Sequence, residues 1–262
     1  MQIIPVIDLM RGQVVHAKRG NRQHYQALKS TLCVSCNPLK VMDELLKLYP
    51  FNTIYIADLD AILGLGDHTE MIEQISRAYP AVNFWLDCGI RQVNARSLYA
   101  YENTDSNKTG SDKTGAENNA NIRVVIGSEN IANLQDYRAI SYACESSHVL
   151  SLDYSATSAL GITELHQSAR FWPDDTICMT LNAVGAEQGV DIERIIMLNQ
   201  LNAARKKPSN LYVAGGVRNR ADLELIAEMG MSGALVATAL HNGSLKTSDI
   251  EYFDTQKSLT KF

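Results

Sequence analysis

Eight short apolar runs, separated by segments of helical periodicity, recur from one end of the sequence to the other, and this rhythm constrains the fold more than any other feature. The runs are Ile3–Ile7, Thr53–Ala57, Val82–Leu86, Arg123–Ile126, His148–Leu152, Thr176–Met179, Asn210–Val213 and Ala234–Ala237. Most are rich in Val, Ile and Leu without strict polar alternation, the pattern of strands covered on both faces in a parallel sheet. Between them, Asn37-Pro38 supplies an N-cap and first-turn pair ahead of Val41, Leu45, Leu46 and Leu48. Further helices are predicted at about Thr69–Ala78, Ser128–Ile140, Asp191–Ala204 and Asn219–Glu228. Eight such units predict the α/β class and a single closed (β/α)8 barrel over residues 1–262. A doubly wound open sheet usually carries about five or six strands and a nucleotide fingerprint, and no G-x-G-x-x-G or P-loop stands here in the right context.

The two halves of the chain repeat one another in order. Ile7-Asp8 is matched by Leu152-Asp153, and Ala57-Asp58-Leu59-Asp60-Ala61-Ile62 by Met179-Thr180-Leu181-Asn182-Ala183-Val184. Cys88-Gly89-Ile90-Arg91 is matched by Gly215-Gly216-Val217-Arg218, and Val125-Ile126-Gly127-Ser128 less closely by Val236-Ala237-Thr238. Self-similarity at so long a period implies two half-barrels of four units each. The loops at the C-terminal ends of barrel strands share one mouth, so Asp8 and Asp153, leaving strands one and five, are expected to face each other across it.

Composition bounds the partners. The net charge is −5 with Lys and Arg scattered, so the basic footprint of a nucleic-acid binder is missing. No apolar run approaches the roughly 18 residues of a membrane span, and the first residues lack a signal-peptide pattern, which together predict a cytoplasmic protein. Five cysteines, an odd number, fit a reducing compartment. Cys33 and Cys36 form a C-x-x-C with no second pair to follow, and read as incidental thiols in a loop. The segment Glu102–Asn121 has no large apolar side chain and is expected to be a polar surface insertion at about 102–121.

The opening Ile3-Ile4-Pro5-Val6-Ile7-Asp8-Leu9 with Gly12-Gln13-Val14-Val15 and Gly20, the Gly127-Ser128 step, Leu152-Asp153, and Ala214-Gly215-Gly216-Val217-Arg218 resemble the histidine-biosynthesis barrels. These are the ribotide isomerase that performs an Amadori rearrangement and the related cyclase subunit of imidazole glycerol phosphate synthase. The resemblance covers nearly the whole chain outside the insertion, and implies Asp8 as general base and Asp153 as general acid, with no cofactor. An Amadori rearrangement turns an aminoaldose into an aminoketose. It needs one group to protonate the ring oxygen and another to remove a proton from the neighbouring carbon, so two carboxyls with separated pKa values suffice.

Phosphate capture needs backbone N–H groups aimed at one point, which glycine permits through close approach and positive φ. Gly215-Gly216 with Ala237-Thr238, ahead of Ala239-Leu240-His241-Asn242-Gly243, fits that at the loops after strands seven and eight. At the symmetry-related loop Asp87 and Cys88 stand where the resemblance implies glycines before Gly89, bringing a negative charge to a second phosphate position. His16, Lys18 and Arg19 are candidates to compensate. After strand six, Ala183-Val184-Gly185 stands where the resemblance implies Arg-Asp-Gly, leaving Thr180, Asn182 and Gly185 as ligand contacts there. Asp58, Asp60, Asp67 and His68 match no dedicated metal motif, and no metal is expected. Cys88 reads as packing rather than nucleophile.

These departures point to a divergent paralogue. The runs Met179–Ala186 and Ala237–Gly243 resemble isomerase-related proteins associated with one-carbon metabolism. Three readings follow: an acid/base isomerase of a phosphorylated sugar or ribotide, a paralogue acting on another phosphate-bearing metabolite of one-carbon cofactor synthesis, or a non-catalytic barrel binding a phosphorylated ligand. A Schiff-base lyase needs a strand-end lysine, which these strands lack. The oligomeric state is not legible.

Overall fold

The computed structural model describes residues 1–18, 20–93, 121–145, 147–186 and 188–259. Its sheet strands are β1 (Gln2–Met10), β2 (Gln13–His16), β3 (Gln26–Ala27), β4 (Thr53–Asp58), β5 (Asn83–Asp87), β6 (Ile122–Gly127), β7 (Val149–Tyr154), β8 (Asp175–Thr180), β9 (Asn210–Ala214) and β10 (Gly233–Val236). Eight of them, β1 and β4 through β10, run parallel in sequence order, and β10 pairs back onto β1 to close the ring. Every apolar run singled out above is one of these eight. The helices α1 (Pro38–Leu48), α2 (Leu59–Leu63), α3 (Thr69–Ala78), α4 (Leu134–Ala143), α5 (Thr163–Gln167), α6 (Ile192–Ala203), α7 (Arg220–Glu228), α8 (Thr238–His241) and α9 (Thr247–Leu259) fill the connections. The fold is a (β/α)8 barrel. The insertion expected at 102–121 lies outside the described residues except for Asn121, whose side-chain amide donates to the carbonyls of Val82 and Tyr79 at 2.9 and 3.2 Å.

Local chemistry sets the helix ends. Asn37 caps α1 by accepting from the Lys40 amide at 3.2 Å, with Pro38 as first residue. Asn133, Asp191 and Asn219 cap α4, α6 and α7 in the same way. The segment expected to be helical from Ser128 begins instead as a short 3-10 turn, Ser128–Asn130, and α4 starts only at Leu134, after the Asn133 cap.

Strand alternation divides the core in two. Ile4, Tyr55, Trp85, Val125, Val149, Ile177, Tyr212 and Leu235 fill the barrel interior. Their chain neighbours, such as Ile3, Ile54, Phe84, Leu86, Val124, Leu150, Cys178, Leu211 and Ala234, pack outward against the helices. Toward the N-terminal ends of the strands, Trp85 meets Tyr212 edge to face with centroids 4.8 Å apart, and the Arg123 guanidinium lies 5.7 Å above the Trp85 ring. Asp175 ties this floor together, accepting from Arg123 at 2.7 Å, Asn210 at 2.9 Å and Tyr212 at 3.2 Å.

The β2–β3 ribbon was not expected from sequence. It extends β1 antiparallel through the two-residue turn Arg11-Gly12, both at positive φ, and carries the first loop over the mouth. His68 holds that turn: its Nε2 accepts from the Gly12 amide at 2.8 Å, so its proton sits on Nδ1, which donates to Asp58 at 2.9 Å. No helix among the described residues is long and apolar enough to cross a membrane.

Replacing Asp175 with Ala strands three donors in the barrel floor. It is expected to lower stability by about 2 kcal/mol or more, read as a lower urea midpoint with an unchanged m-value.

Candidate active site

The interior parity that places Ile4 and Val149 inside the barrel carries on, two residues at a time, to Asp8 and Asp153 at the C-terminal ends of β1 and β7. The same parity brings Asp87 inward from β5, after Trp85. All three line one cavity of about 880 Å³ that opens at this end of the barrel. Its wall also includes Gly20, Arg22 and Tyr25 from the first loop, Gly185, Gly215-Gly216, and Ala237-Thr238.

The carboxyl groups differ in their partners. Asp153 is held by Ser151 Oγ at 2.6 Å, the Glu129 amide at 3.0 Å and Ser128 Oγ at 3.3 Å. Asp87 accepts from the Gly89 amide and from the Tyr55 hydroxyl, each at 3.0 Å. Asp8 is 9% exposed, and no hydrogen bond from the described residues reaches its carboxylate, so its oxygens face only the cavity. Gly127 lies between Asp153 and Asp87: a Cβ there would sit 3.1 Å from one carboxylate and 3.8 Å from the other, which places the two no more than about 7 Å apart.

Burial dominates their acidity. It raises Asp8 to about 7, against the opposing pull of Arg22, with Asp87 adding to the rise. It raises Asp153 to about 7 as well, opposed by the Ser151 and Glu129 hydrogen bonds and reinforced by the Glu129 and Asp87 charges. Asp87 is raised to about 6 by burial, with its two donors opposing. Three carboxyls titrating near neutrality in one cavity form a group able to hold and exchange protons at physiological pH.

The second-half loops are built around close backbone approach. Gly215 and Gly216 have φ of +94° and +85°, and a Cβ on them would lie 2.4 Å from the Thr180 carbonyl oxygen and 2.1 Å from that of Gly189. The first loop closes over this side. A Cβ on Gly185 would meet the Ala17 carbonyl oxygen at 2.1 Å, Gly20 faces Leu181, and His16 Nε2 lies 3.4 Å from Thr238 Oγ1. His16 and Lys18, considered above as compensation for the first-half phosphate position, therefore stand at the second-half end. Arg19 lies outside the described residues.

Several residues read as ligand contacts are not brought to the wall. Thr180 and Ser128 are not among the residues that line the cavity. Thr180 is buried beneath Gly215, and Ser128 Oγ donates to the Asp153 carboxylate and accepts from its amide at 2.8 Å. Gly127 lies close to the Asp153 and Asp87 carboxylates, and Asn182 lies in the 3-10 turn Leu181–Ala183 with a buried Oδ1 that no donor among the described residues reaches. Gly89 is covered: a Cβ there would come within 2.7 Å of Ile62 Cα. Asp87, Tyr55, Tyr25 and Arg22 are wall residues that the sequence reading did not assign to the site. The inward parity of β5 was the available signal for Asp87; the others depend on contacts across strands and loops. Asp58 and His68 are engaged in the hairpin clamp, and no group of three or more metal-ligating side chains occurs among the described residues. Cys33, Cys36 and Cys178 are thiols, and Cys36 Sγ donates to Gln13 Oε1 at 3.3 Å.

Residues 2–246 match the family model described as histidine biosynthesis protein. The chain belongs to this family. An uncharacterized protein of Methanocaldococcus jannaschii is 32% identical over 95% of this chain and 97% of its own length. An imidazole-4-carboxamide isomerase of Listeria innocua, whose name specifies two phosphoribosyl groups, is 28% identical over 95% of this chain and 97% of its own. The Thermus thermophilus protein of the same name is 24% identical over 96% and 99%. The isomerases thus span the same barrel, at identities low enough for substantial divergence at the mouth.

Asp8→Asn tests the burial of the free carboxyl. Between the ordinary value of 3.8 and about 7 the folded protein holds a proton that the unfolded chain has released, so this group makes stability fall as pH rises through that window. The substitution is expected to raise the melting temperature at pH 8 by a few degrees, corresponding to about 1 kcal/mol or more, and to change it little below pH 4, as read in paired thermal melts.

Proposed function

We propose that the protein is an isomerase of a phosphorylated sugar or ribotide, working by cofactor-free acid/base chemistry of the Amadori type. The observation that carries this reading is the presence of Asp8 and Asp153, both raised to about 7, in one cavity with the Gly215-Gly216 and Ala237-Thr238 backbone. Family membership and the isomerase relatives support the same reaction class.

In this reading the substrate phosphate lies against Gly215-Gly216 and Thr238, with Lys18 and His16 beside it. Asp153, near the like charges of Glu129 and Asp87, protonates the ring oxygen and opens the aminoaldose to its iminium form. Asp8, near the Arg22 cation and with oxygens that accept no hydrogen bond from the described residues, takes the proton from the adjacent carbon. The resulting enaminol becomes the aminoketose when the first carbon takes a proton and the second carbon's hydroxyl gives one up. Closure of the Gly89 loop by Ile62 favours a second reading within the same chemistry, a paralogue acting on another phosphate-bearing metabolite, as in one-carbon cofactor synthesis.

The test is turnover of phosphorylated aminoaldoses, including the doubly phosphorylated ribotide and singly phosphorylated ribosylamines, with aminoketose formation followed directly. Wild type is expected to convert at least one of them, and Asp8→Asn and Asp153→Asn each to lower kcat by about 10²–10⁴-fold. Turnover unchanged by both substitutions, or absent with every substrate, contradicts the proposal.

A further inference from the structure

One cavity holds both the second-half glycine loops and a group of carboxyls. Asp8, Asp87, Asp153 and Glu129 line the cavity, and Arg22, the cation whose charge acts on Asp8 and Asp87, is already bound to Glu129 at 2.6 Å. The loop that mirrors Gly215-Gly216 is closed from three directions. Asp87 is the last residue of the strand that leads into it, with Cys88 rather than a glycine next, and the Ile62 backbone fills the space against Gly89. Arg91, the mirror of Arg218, spends its guanidinium on the carbonyls of Ile62 and Gly89, at 2.9 and 3.3 Å. Asp8, more than nine-tenths buried, presents a carboxylate that no donor from the described residues satisfies. A buried acceptor of this kind requires a donor from whatever fills the cavity.

We propose that the protein selects a singly phosphorylated substrate carrying an amino group, with the phosphate at Gly215-Gly216 and Thr238 and the cationic nitrogen among the carboxylates of Asp8, Asp87 and Asp153. This inference rests on the phosphate placement of the proposed function and adds the identity of the other end. A protonated amine supplies several N–H donors and a charge opposite to the cluster, whereas a second phosphate brings two like charges into it. Asp87 is then a specificity-determining residue. It is held in place by Tyr55 and Gly89 and adds the third carboxylate that distinguishes an amine from a hydroxyl. An aminoaldose phosphate meets this description, because its nitrogen lies next to the carbons at which Asp153 and Asp8 exchange protons.

Titration calorimetry with three sugar phosphates tests the inference: glucosamine 6-phosphate, glucose 6-phosphate, which differs by a hydroxyl in place of the amine, and fructose 1,6-bisphosphate. Inorganic phosphate reports on the glycine loops alone. Glucosamine 6-phosphate is expected to bind at least about tenfold more tightly than glucose 6-phosphate, which corresponds to about 1.4 kcal/mol. The bisphosphate is expected to bind more weakly than either, and Asp87→Asn to shrink the amine preference severalfold. Equal affinity for amine and hydroxyl, or tighter binding of the bisphosphate, overturns the inference while leaving the phosphate placement intact. If none of the sugar phosphates binds and inorganic phosphate is also ignored, the phosphate placement falls and this inference with it.

Discussion

The seam between β1 and β10 is the constraint on which the rest of the molecule depends. Four residue pairs, from Gln2 with Gly233 to Pro5 with Val236, turn an open parallel sheet into a ring. Gly233 makes the approach possible, since a Cβ there would lie 2.6 Å from the Gln2 carbonyl oxygen and 2.7 Å from the Tyr212 ring. Once the ring is closed, strand alternation fixes which side chains enter the interior. The Trp85–Tyr212–Arg123–Asp175 floor blocks it at one end and leaves the other open. The position of Asp8 in β1 is therefore set by the same register that closes the barrel.

Closure also determines the chemistry. A carboxyl at an exposed strand end keeps its ordinary acidity; inside a ring of apolar side chains the charged form loses its water, and Asp8, Asp87 and Asp153 all rise toward neutrality. Asp8 and Asp153 rise to the same value of about 7 and Asp87 to about 6, while their partners differ. Arg22 stands by Asp8, two serines and an amide orient Asp153, and Tyr55 and Gly89 fix Asp87. Loss of stability from burying three ionisable groups is the expected companion of a site that must move protons, and the structure concentrates it at the mouth while the floor and the helix layer are conventionally packed.

The fold was legible in the sequence because its signals are local. Both-face apolar runs marked all eight barrel strands, Asn37-Pro38 marked the start of α1, and Thr69–Ala78 was read with its observed limits. The β2–β3 ribbon was not, since four residues with two adjacent valines carry no alternation and the Arg11-Gly12 turn is recognisable only through its φ angles. At the site, the half-barrel repeat located Asp8, Asp153 and the second-half glycines. Thr180 and Ser128, expected as ligand contacts, lie next in sequence to Met179 and Gly127 and off the cavity lining. Asp87 was read as an obstacle to phosphate binding; its contact with Tyr55, 32 residues away, and its place beside Asp153 come from pairing across β4, β5, β6 and β7. The repeat is thus a reliable guide to backbone position, and the halves diverge at the strand ends, where Asp87 and Cys88 stand against Ala214 and Gly215.

Burial poises the three carboxyls inside the mouth near neutral pH. Carbon-13 NMR of the protein labelled at aspartate carboxyls, titrated from pH 3 to 9 and assigned with Asp8→Asn, Asp87→Asn and Asp153→Asn, measures this directly. These three resonances are expected to titrate at about 6 to 7, well above the surface aspartates. Titration of all three below pH 5 would contradict it.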